Sequence, residues 1–236
     1  MSQAASIDFA KDALIHADAV CFDVDSTVIG EEGIDVLADF LGQHETVAAL
    51  TTAAMQGGLP FDQALQQRLD VLQPRRQDIL DCIAQHPAPL TPHVDTLIQQ
   101  LQQRDTHVYF VSGGFRLMIE PVAALVQIPK DRIYANTILF DADGNYTGFD
   151  DTEPTSRDMG KPAALQHLQD TYGYQTMVMI GDGATDAQAK PPATAFIGFG
   201  GVAVRTAVQE AADWFVTDFQ DVVEVLDKAP PRKSPS

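Results

Sequence analysis

Cysteine is scarce in this chain of 236 residues, which contains only Cys21 and Cys82. The two residues fall in different predicted elements and form neither a CxxC nor a Cys/His spacing. The sequence therefore predicts neither a disulfide framework nor a thiolate metal site. We expect both cysteines to be buried and reduced.

Basic residues are also few, because 15 lysines and arginines stand against 33 aspartates and glutamates, for a net charge of −18. A surface this acidic releases no counterions from nucleic acid or from an anionic membrane, so neither is predicted as a partner. A small anionic substrate stays compatible with the charge. The Debye length is about 8 Å at physiological salt, so a few cations can dominate inside a pocket.

The chain also lacks long apolar runs and several common motifs. Its first 20 residues carry acidic side chains and resemble neither a secretory signal nor a membrane span, so we predict a cytoplasmic protein. HExxH, the P-loop, a GxGxxG after a strand and internal repeats are missing from the sequence. The sequence does not decide the oligomeric state, and a homodimer stays open.

Hydrophobic residues make up 45% of the chain, which is enough for a sizeable core. Four short runs have the composition of buried parallel strands, namely AVCF, HVYFV, TMVMI and AFIGF. Helical segments alternate with these runs. The alternation predicts an α/β fold with a doubly wound, Rossmann-like parallel sheet, in which ligands bind at the carboxyl ends of the strands.

One stretch, residues 33–86, interrupts this alternation with helical patterns alone. Apolar residues recur there at helical spacing, and glycines and prolines separate the segments. We therefore predict a helical cap domain over 33–86, inserted into an α/β catalytic core domain that comprises 1–32 and 87–236.

Residues 138–150 predict a small β-hairpin flap within the core, turning at Asp143–Gly144. The run DADGN at this turn resembles the start of a calcium loop. The match fails because Tyr146 stands where that loop needs glycine and Thr152 where it needs glutamate.

Polar residues directly follow three of the predicted strands, where ligands of such a sheet bind. They are Asp23 with Asp25, Ser112 with Gly113 and Gly114, and Asp182. Any one of them could be a turn residue or a helix cap. Their joint position at strand ends favours one shared site.

The pair Asp23 and Asp25 suits a two-step phosphoryl transfer. A carboxylate is ionised at neutral pH, so Asp23 can attack phosphorus without a base to activate it. Asp25 would protonate the leaving alkoxide and later take a proton from the hydrolytic water. This role requires its pKa to rise above the usual value of about 3.9.

Carboxylates around a phosphate need a cation that offsets their repulsion, and Mg²⁺ fits because it prefers oxygen ligands. Asp23 and Asp182 are the predicted side-chain ligands, with the main-chain carbonyl of Asp25 as a further ligand. Asp186, four residues after Asp182, either caps the next helix or supports the metal site without binding the ion itself.

Lys161 is the predicted cation for the phosphate group. It lies in MGKPAAL, where Pro162 suits the first position of a helix. A lysine there opposes the helix dipole unless an anion lies between the two. Ser112 and the amides of Gly113 and Gly114 would bind the same phosphate.

Four motifs together resemble those of the haloacid dehalogenase-like phosphatases and occur in that family's order. They are DVDST from Asp23, SGG from Ser112, GK at Lys161 and GDGATD from Gly181. The stretches VIGEEGID, AAMQGGLPFDQALQQRL, FVSGGF and FIGFGG also resemble the phosphoserine phosphatase branch of the family, and this resemblance covers nearly the whole chain.

The resemblance implies a sheet domain with an inserted helical cap. It implies Asp23 as nucleophile, Asp25 as acid and base, and Mg²⁺ on Asp23, Asp25 and Asp182. Ser112 and Lys161 would bind phosphate. The implied substrate is O-phospho-L-serine, and the implied reaction is the last step of serine biosynthesis.

The resemblance also implies how the rest of the substrate is bound. Glu32 would bind the amine, Arg68 the carboxylate, and Met55 would line the pocket. Gln56 and Thr185 complete the predicted set of substrate-binding residues.

The same motifs also occur in proteins with other functions. A phosphotransferase that passes the phosphoryl group to an alcohol instead of water stays open. A non-catalytic binding protein is disfavoured because the catalytic set is intact. Dehalogenation is disfavoured because that branch lacks the second aspartate, here Asp25.

Gly30 and Gln56 depart from the residues common in close relatives, and both departures concern the pocket entrance.

Overall fold

The computed structural model describes residues 3–55 and 59–231. Within these residues the α-helices are α1 Gln3–Ile15, α2 Gly33–Phe40, α3 His44–Met55, α4 Phe61–Leu72, α5 Arg76–Gln85, α6 Val94–Gln103, α7 Arg116–Leu125, α8 Gly160–Tyr172, α9 Ala184–Ala187, α10 Thr206–Ala211 and α11 Gln220–Lys228. The strands are β1 Ala19–Phe22, β2 His107–Phe115, β3 Ile133–Asn136, β4 Ile138–Phe140, β5 Tyr146–Phe149, β6 Met177–Gly181, β7 Ala195–Phe199 and β8 Trp214–Val216.

Six strands form one parallel sheet in the order β3-β2-β1-β6-β7-β8. Strands β2 and β3 extend from one side of β1, and β6, β7 and β8 extend from the other. This is the predicted doubly wound arrangement. Its topological switch point, where ligands of such sheets bind, lies beyond the ends of β1 and β6.

The central strands are buried on both faces. Val20 and Phe22 of β1 belong to the hydrophobic cluster on one face, and Cys21 belongs to the cluster on the other. Because helices cover both faces, β1, β6 and β7 consist entirely of buried residues. This explains their continuous apolar runs. Cys21 and Cys82 are buried and free, as predicted.

The predicted runs AVCF and AFIGF match β1 and β7 residue for residue, whereas β6 is shifted by one residue from TMVMI. Strand β2 is longer than predicted, since it continues from His107 to Phe115. Ser112 and the two glycines after it therefore lie inside β2 and not beyond it, which corrects the sequence prediction. Strands β3 and β8 were missed because each is a short edge strand of 4 or 3 residues.

Four helices, α2 to α5, lie between β1 and α6 in the described residues, in agreement with the helical pattern. They pack around a hydrophobic cluster that includes Leu37, Leu65, Leu69 and Ile79. Phe115 at the end of β2 belongs to the same cluster. The division into a cap domain over 33–86 and a core domain stays a prediction.

Strands β4 and β5 pair antiparallel and form the predicted hairpin. Its turn contains Gly144, whose φ of +83° lies in the left-handed region that favours glycine. The carboxylate of Asp141 stabilises the turn, because it accepts the backbone N–H groups of Asp143 (2.9 Å) and Asn145 (2.8 Å). Among the described residues, no helix is long and apolar enough to cross a membrane.

Candidate active site

The site lies where β1 and β6 run side by side. Asp23 directly follows β1, Asp182 directly follows β6, and the backbone N–H of Asp23 donates to the carbonyl of Ile180 (2.9 Å). A cavity of about 540 Å³ opens at these strand ends, which is a volume that suits a small metabolite. The predicted residues that line it are Asp23, Asp25, Glu32, Arg68, Ser112, Gly113, Gly114, Lys161, Asp182 and Thr185.

A tight turn after β1 fixes the first pair of aspartates. Ser26 adopts a left-handed conformation with a φ of +55°. Its hydroxyl donates to Oε1 of Glu32 (2.6 Å), and its backbone N–H donates to the carbonyl of Glu31 (3.1 Å). The backbone N–H of Val24 donates to Oδ1 of Asp23 (2.8 Å). The turn therefore holds the Asp23 carboxylate in one orientation.

Asp25 has the surroundings of a proton-transfer group. Its Oδ1 accepts the backbone N–H of Gly33 (2.8 Å), and its Oδ2 accepts the hydroxyl of Ser112 (3.3 Å). Burial, followed by the carboxylates of Glu32 and Asp23, raises the pKa of Asp25 to about 7. A carboxyl group with this pKa can both give and take a proton near neutral pH.

Lys161 lies in the second position of α8, because the helix begins at Gly160 and not at Pro162 as predicted. The nitrogen Nζ of Lys161 lies 2.9 Å from Oδ1 of Asp23 and 2.5 Å from Oδ1 of Asp186. Burial lowers the pKa of the lysine, but the two carboxylates outweigh burial, so the pKa lies above its ordinary value. Lys161 therefore stays charged at neutral pH.

Asp186 contacts the start of α9, as the capping alternative predicts, while its support of a metal site stays a prediction. Its Oδ2 accepts the backbone N–H of Gly183 (2.9 Å) at the start of α9, while its Oδ1 accepts Nζ of Lys161. The side chain is fully buried. A Cβ on Gly181 would overlap this carboxylate, which explains why glycine ends β6.

Carboxylate oxygens of Asp23, Asp182 and Asp186 lie within 4.8 Å of one another and could hold a metal ion. Thr27 donates to Oδ1 of Asp182 (3.3 Å). Burial, followed by the charge of Asp23, raises the pKa of Asp182 to about 6. A compact group of oxygen donors fits Mg²⁺, whose charge would relieve their repulsion. The Asp25 carboxylate is not part of this group.

The segment from Ser112 to Gly114 packs closely against the aspartates. The backbone N–H of Gly114 donates to Oγ of Ser112 (3.0 Å). Gly114 has no room for a side chain, because a Cβ would overlap the Asp25 carboxylate. On the other side, the ring of Phe61 from α4 lies so close that a Cβ on Gly113 would come within 3.0 Å of it.

Helix α4 contributes a cation to the lining of the cavity. Nε of Arg68 donates to the carbonyl of Ala64 (3.0 Å) one turn earlier. Arg68 and Glu32 are both partly buried, and this burial lowers the pKa of Arg68 and raises that of Glu32. Opposite charges at a partly buried site can bind a zwitterion.

Two predicted substrate-binding residues cannot be placed in the cavity. Met55 is the last residue of α3, but its side chain lies outside the described part of the chain. Gln56 also lies outside the described residues. Both assignments stay predictions.

Arg205 is a residue of the site that the sequence prediction missed. Its guanidinium donates to the carbonyl of Asp182 (2.9 Å) and also pairs with Oδ2 of that residue. Arg205 lines the cavity, and it lies between β7 and α10. Its place in the loop after β7 is the signal in the sequence that points to it, since ligands of such a sheet bind at the carboxyl ends of the strands.

Comparison with known proteins gives consistent matches. A family model described as haloacid dehalogenase-like hydrolase matches residues 20–189. The chain is 47% identical to a phosphoserine phosphatase of Bos taurus, over 92% of this chain and 97% of the relative. It is 46% identical to the phosphoserine phosphatase of Homo sapiens, over 90% of this chain and 94% of the relative.

Solved structures of phosphoserine phosphatases are also similar to this chain. A phosphoserine phosphatase structure described as a phospho-aspartyl intermediate analogue is similar with a TM-score of 0.74 and 26% identity, covering 87% of this chain and 97% of that one. A substrate-bound phosphoserine phosphatase complex is similar with a TM-score of 0.75 and 26% identity, covering 87% and 96%.

Proposed function

The chain belongs to the haloacid dehalogenase-like hydrolase family, and we propose that it is a phosphoserine phosphatase. The reaction is Mg²⁺-dependent hydrolysis of O-phospho-L-serine to L-serine and phosphate, the last step of serine biosynthesis. One observation supports this proposal above the others. A single cavity is lined by the Asp23 carboxylate, the buried Lys161 and a partly buried pair of opposite charge, Glu32 and Arg68.

We assign the nucleophile to Asp23. Val24 and Lys161 both donate to its Oδ1, so the second oxygen, Oδ2, is the one that we assign to attack. Attack forms an Oδ2–phosphorus bond and breaks the bond between phosphorus and the serine oxygen. The product of this step is a phospho-aspartyl enzyme and serine.

We assign proton transfer to Asp25. In its protonated form it gives the proton to the leaving serine oxygen, and the resulting carboxylate then takes a proton from water. That water attacks the phospho-aspartyl group and releases phosphate, while Asp25 regains its proton. A pKa of about 7 supports this cycle, because neither form is costly at neutral pH.

We propose that Asp23 and Asp182 hold Mg²⁺ through their side chains, with Asp25 as a ligand through its main-chain carbonyl. When bound, the ion supplies positive charge that neutralises the phosphate and the carboxylates around it. We propose that Asp186 supports this site by holding Lys161 beside Asp23, since its Oδ1 accepts Nζ of Lys161 while its Oδ2 accepts the backbone N–H of Gly183.

We propose that different residues of the cavity bind the different groups of the substrate. Ser112, Gly113, Gly114 and Lys161 bind the phosphate, and Thr185, which also lines the cavity, belongs to the substrate-binding set. Glu32 binds the amine and Arg68 the carboxylate.

Met55 and Gln56 complete the proposed set of substrate-binding residues.

The test is phosphate release from a panel of small phosphomonoesters with Mg²⁺, including phosphoserine, phosphothreonine and phosphoethanolamine. We expect phosphoserine to give the highest kcat/KM. Flat, low activity on every member would refute the proposal. Adding serine or another alcohol and analysing the products separates hydrolysis from phosphoryl transfer to an acceptor.

Two further expectations belong to this proposal. We propose that the enzyme acts in the cytoplasm, and cell fractionation tests this location. The test is needed because one relative, from Arabidopsis thaliana, is named a chloroplastic enzyme. Dimerisation also stays a prediction, and light scattering coupled to size-exclusion chromatography would measure the mass against the 25.6 kDa of one chain.

A further inference from the structure

Asn136 is a fully buried polar residue outside the cavity, at the end of β3. Both polar atoms of its side-chain amide form hydrogen bonds. Nδ2 donates to the carbonyl of Gly113 (2.7 Å), and Oδ1 accepts the hydroxyl of Thr155 (3.0 Å), which is itself buried. A buried amide with two partners is costly to remove, because each partner then loses its hydrogen bond.

The first arm of Asn136, its hydrogen bond to Gly113, reaches the phosphate-binding segment where the sheet is irregular. The register between β2 and β3 shifts between Val111 and Phe115, and Phe115 is the residue that pairs with Asn136. Gly113 lies inside this irregular stretch. The side chain of Asn136 therefore bridges the two strands at the point where regular pairing is interrupted.

The second arm, the hydrogen bond between Asn136 and Thr155, connects Asn136 with the turn before α8. Thr155 belongs to the short 3₁₀ turn Pro154–Ser156. Gly160 packs directly on this turn, since a Cβ on Gly160 would overlap backbone atoms of Pro154 and Thr155. The next residue is Lys161. The turn that Asn136 holds is thus the surface on which the lysine-bearing end of α8 rests.

We propose that Asn136 is a positioning residue for the phosphate site, acting through Gly113 and Thr155 without touching the substrate. It fixes the distance between the two segments that bind phosphate from different sides. The expected effect on catalysis rests on the proposed function. The effect on phosphate binding does not, because binding of inorganic phosphate can be measured directly.

The test uses four variants of the full chain. Asn136→Asp keeps the acceptor for Thr155 and removes the donor to Gly113, whereas Thr155→Val removes the second hydrogen bond and also a hydroxyl group of the cavity lining. Thr106→Val is the matched control, because this buried threonine donates to the carbonyl of Ala17 at the opposite end of β2. For each variant we would measure thermal stability, KM and kcat for phosphoserine, and the inhibition constant of inorganic phosphate.

We expect KM and the inhibition constant to rise roughly tenfold in Asn136→Asp and about threefold in Thr155→Val, as for lost hydrogen bonds, with a smaller change in kcat. Thr106→Val should lose stability but change neither constant. If both site variants match the control, the inference is wrong. The uncharged variant Asn136→Ala should raise the two constants as Asn136→Asp does, and it replaces Asn136→Asp if that variant fails to fold.

Failure of the proposed function would look different. In that case the native enzyme would not release phosphate from phosphoserine, whatever the variants do. Thermal shift with inorganic phosphate would then still test the inference. Native protein and Thr106→Val should gain stability at lower phosphate concentration than the two site variants, and equal titrations would overturn the role of Asn136.

Discussion

The ammonium nitrogen of Lys161 lies 2.5 Å from Oδ1 of Asp186, and both side chains are buried. The same nitrogen lies 2.9 Å from Asp23. One buried cation therefore compensates two buried carboxylates, one of which is the proposed nucleophile. Removing one partner of a buried ion pair leaves the others uncompensated, which costs more than the pair itself contributes.

Lys161→Met should lower the free energy of unfolding by about 3 to 5 kcal/mol in the absence of Mg²⁺ and abolish phosphate release. Added Mg²⁺ should restore part of the stability, since it supplies positive charge near the same carboxylates. Denaturant unfolding with and without Mg²⁺ measures both effects.

Lys190→Met is the matched control. Lys190 also pairs with an aspartate, Asp213, at 2.5 Å, but its side chain is 34% exposed. Asp213 is 11% exposed, but the lysine end of this pair reaches solvent, so the loss should be smaller than for Lys161, whose partners are two buried carboxylates. Equal losses in the two variants would contradict the special position of Lys161.

Asp23→Asn should reduce turnover to background while the protein stays folded, because the amide keeps the shape of the side chain and lacks its nucleophilic charge. Circular dichroism checks the fold. Enzyme quenched in acid during turnover should carry phosphate on Asp23 in the native protein and on no residue in the variant. Phosphate found on Ser112 instead would disprove the phospho-aspartyl mechanism.

Removal of divalent metal should abolish activity, and Mg²⁺ should restore it. Calcium should support turnover poorly, because its larger and more flexible coordination lets one carboxylate bind through both oxygens. Mg²⁺ should also stabilise the protein, by about 2.7 kcal/mol at a concentration 100 times its Kd. Asp182→Asn should lose most of this thermal shift. Full activity in chelator would rule out the metal requirement.

Arg68→Ala should damage phosphoserine turnover far more than phosphoethanolamine turnover. Phosphoethanolamine lacks the carboxylate that the guanidinium would bind, so the native enzyme should already discriminate by about 2 to 5 kcal/mol. The extra methyl of phosphothreonine should cost only about 1 to 3 kcal/mol. Values of kcat/KM for each substrate in native and variant enzyme measure these differences.

Arg75→Ala serves as the control for Arg68→Ala. Arg75 precedes α5 among the same group of helices and pairs with Asp78 at 2.7 Å, away from the cavity. We expect it to leave the ratio between the two substrates unchanged. If Arg68→Ala reduces turnover of both substrates equally, Arg68 only supports the packing of α4.

The sequence alone determined the features that depend on local pattern. Apolar runs located β1, β6 and β7, because strands buried on both faces need continuous hydrophobic residues. The aspartates after β1 and β6 were found since parallel strands end at one edge. Helical spacing located α2 to α4, and the position of Arg68 one turn after Ala64 agreed with its place in the cavity wall.

Only the tertiary structure decided which side chains meet. Thr27 and Asp182 are 155 residues apart in sequence, Lys161 and Asp186 are 25 apart, and neither pair leaves a local pattern. The contacts of Arg205 and Asn136 are of the same kind. The raised pKa of Asp25 also comes from the fold, because it depends on burial and on carboxylates gathered around it. Local spacing predicts elements, whereas hydrogen bonds and electrostatic fields depend on distances that folding creates.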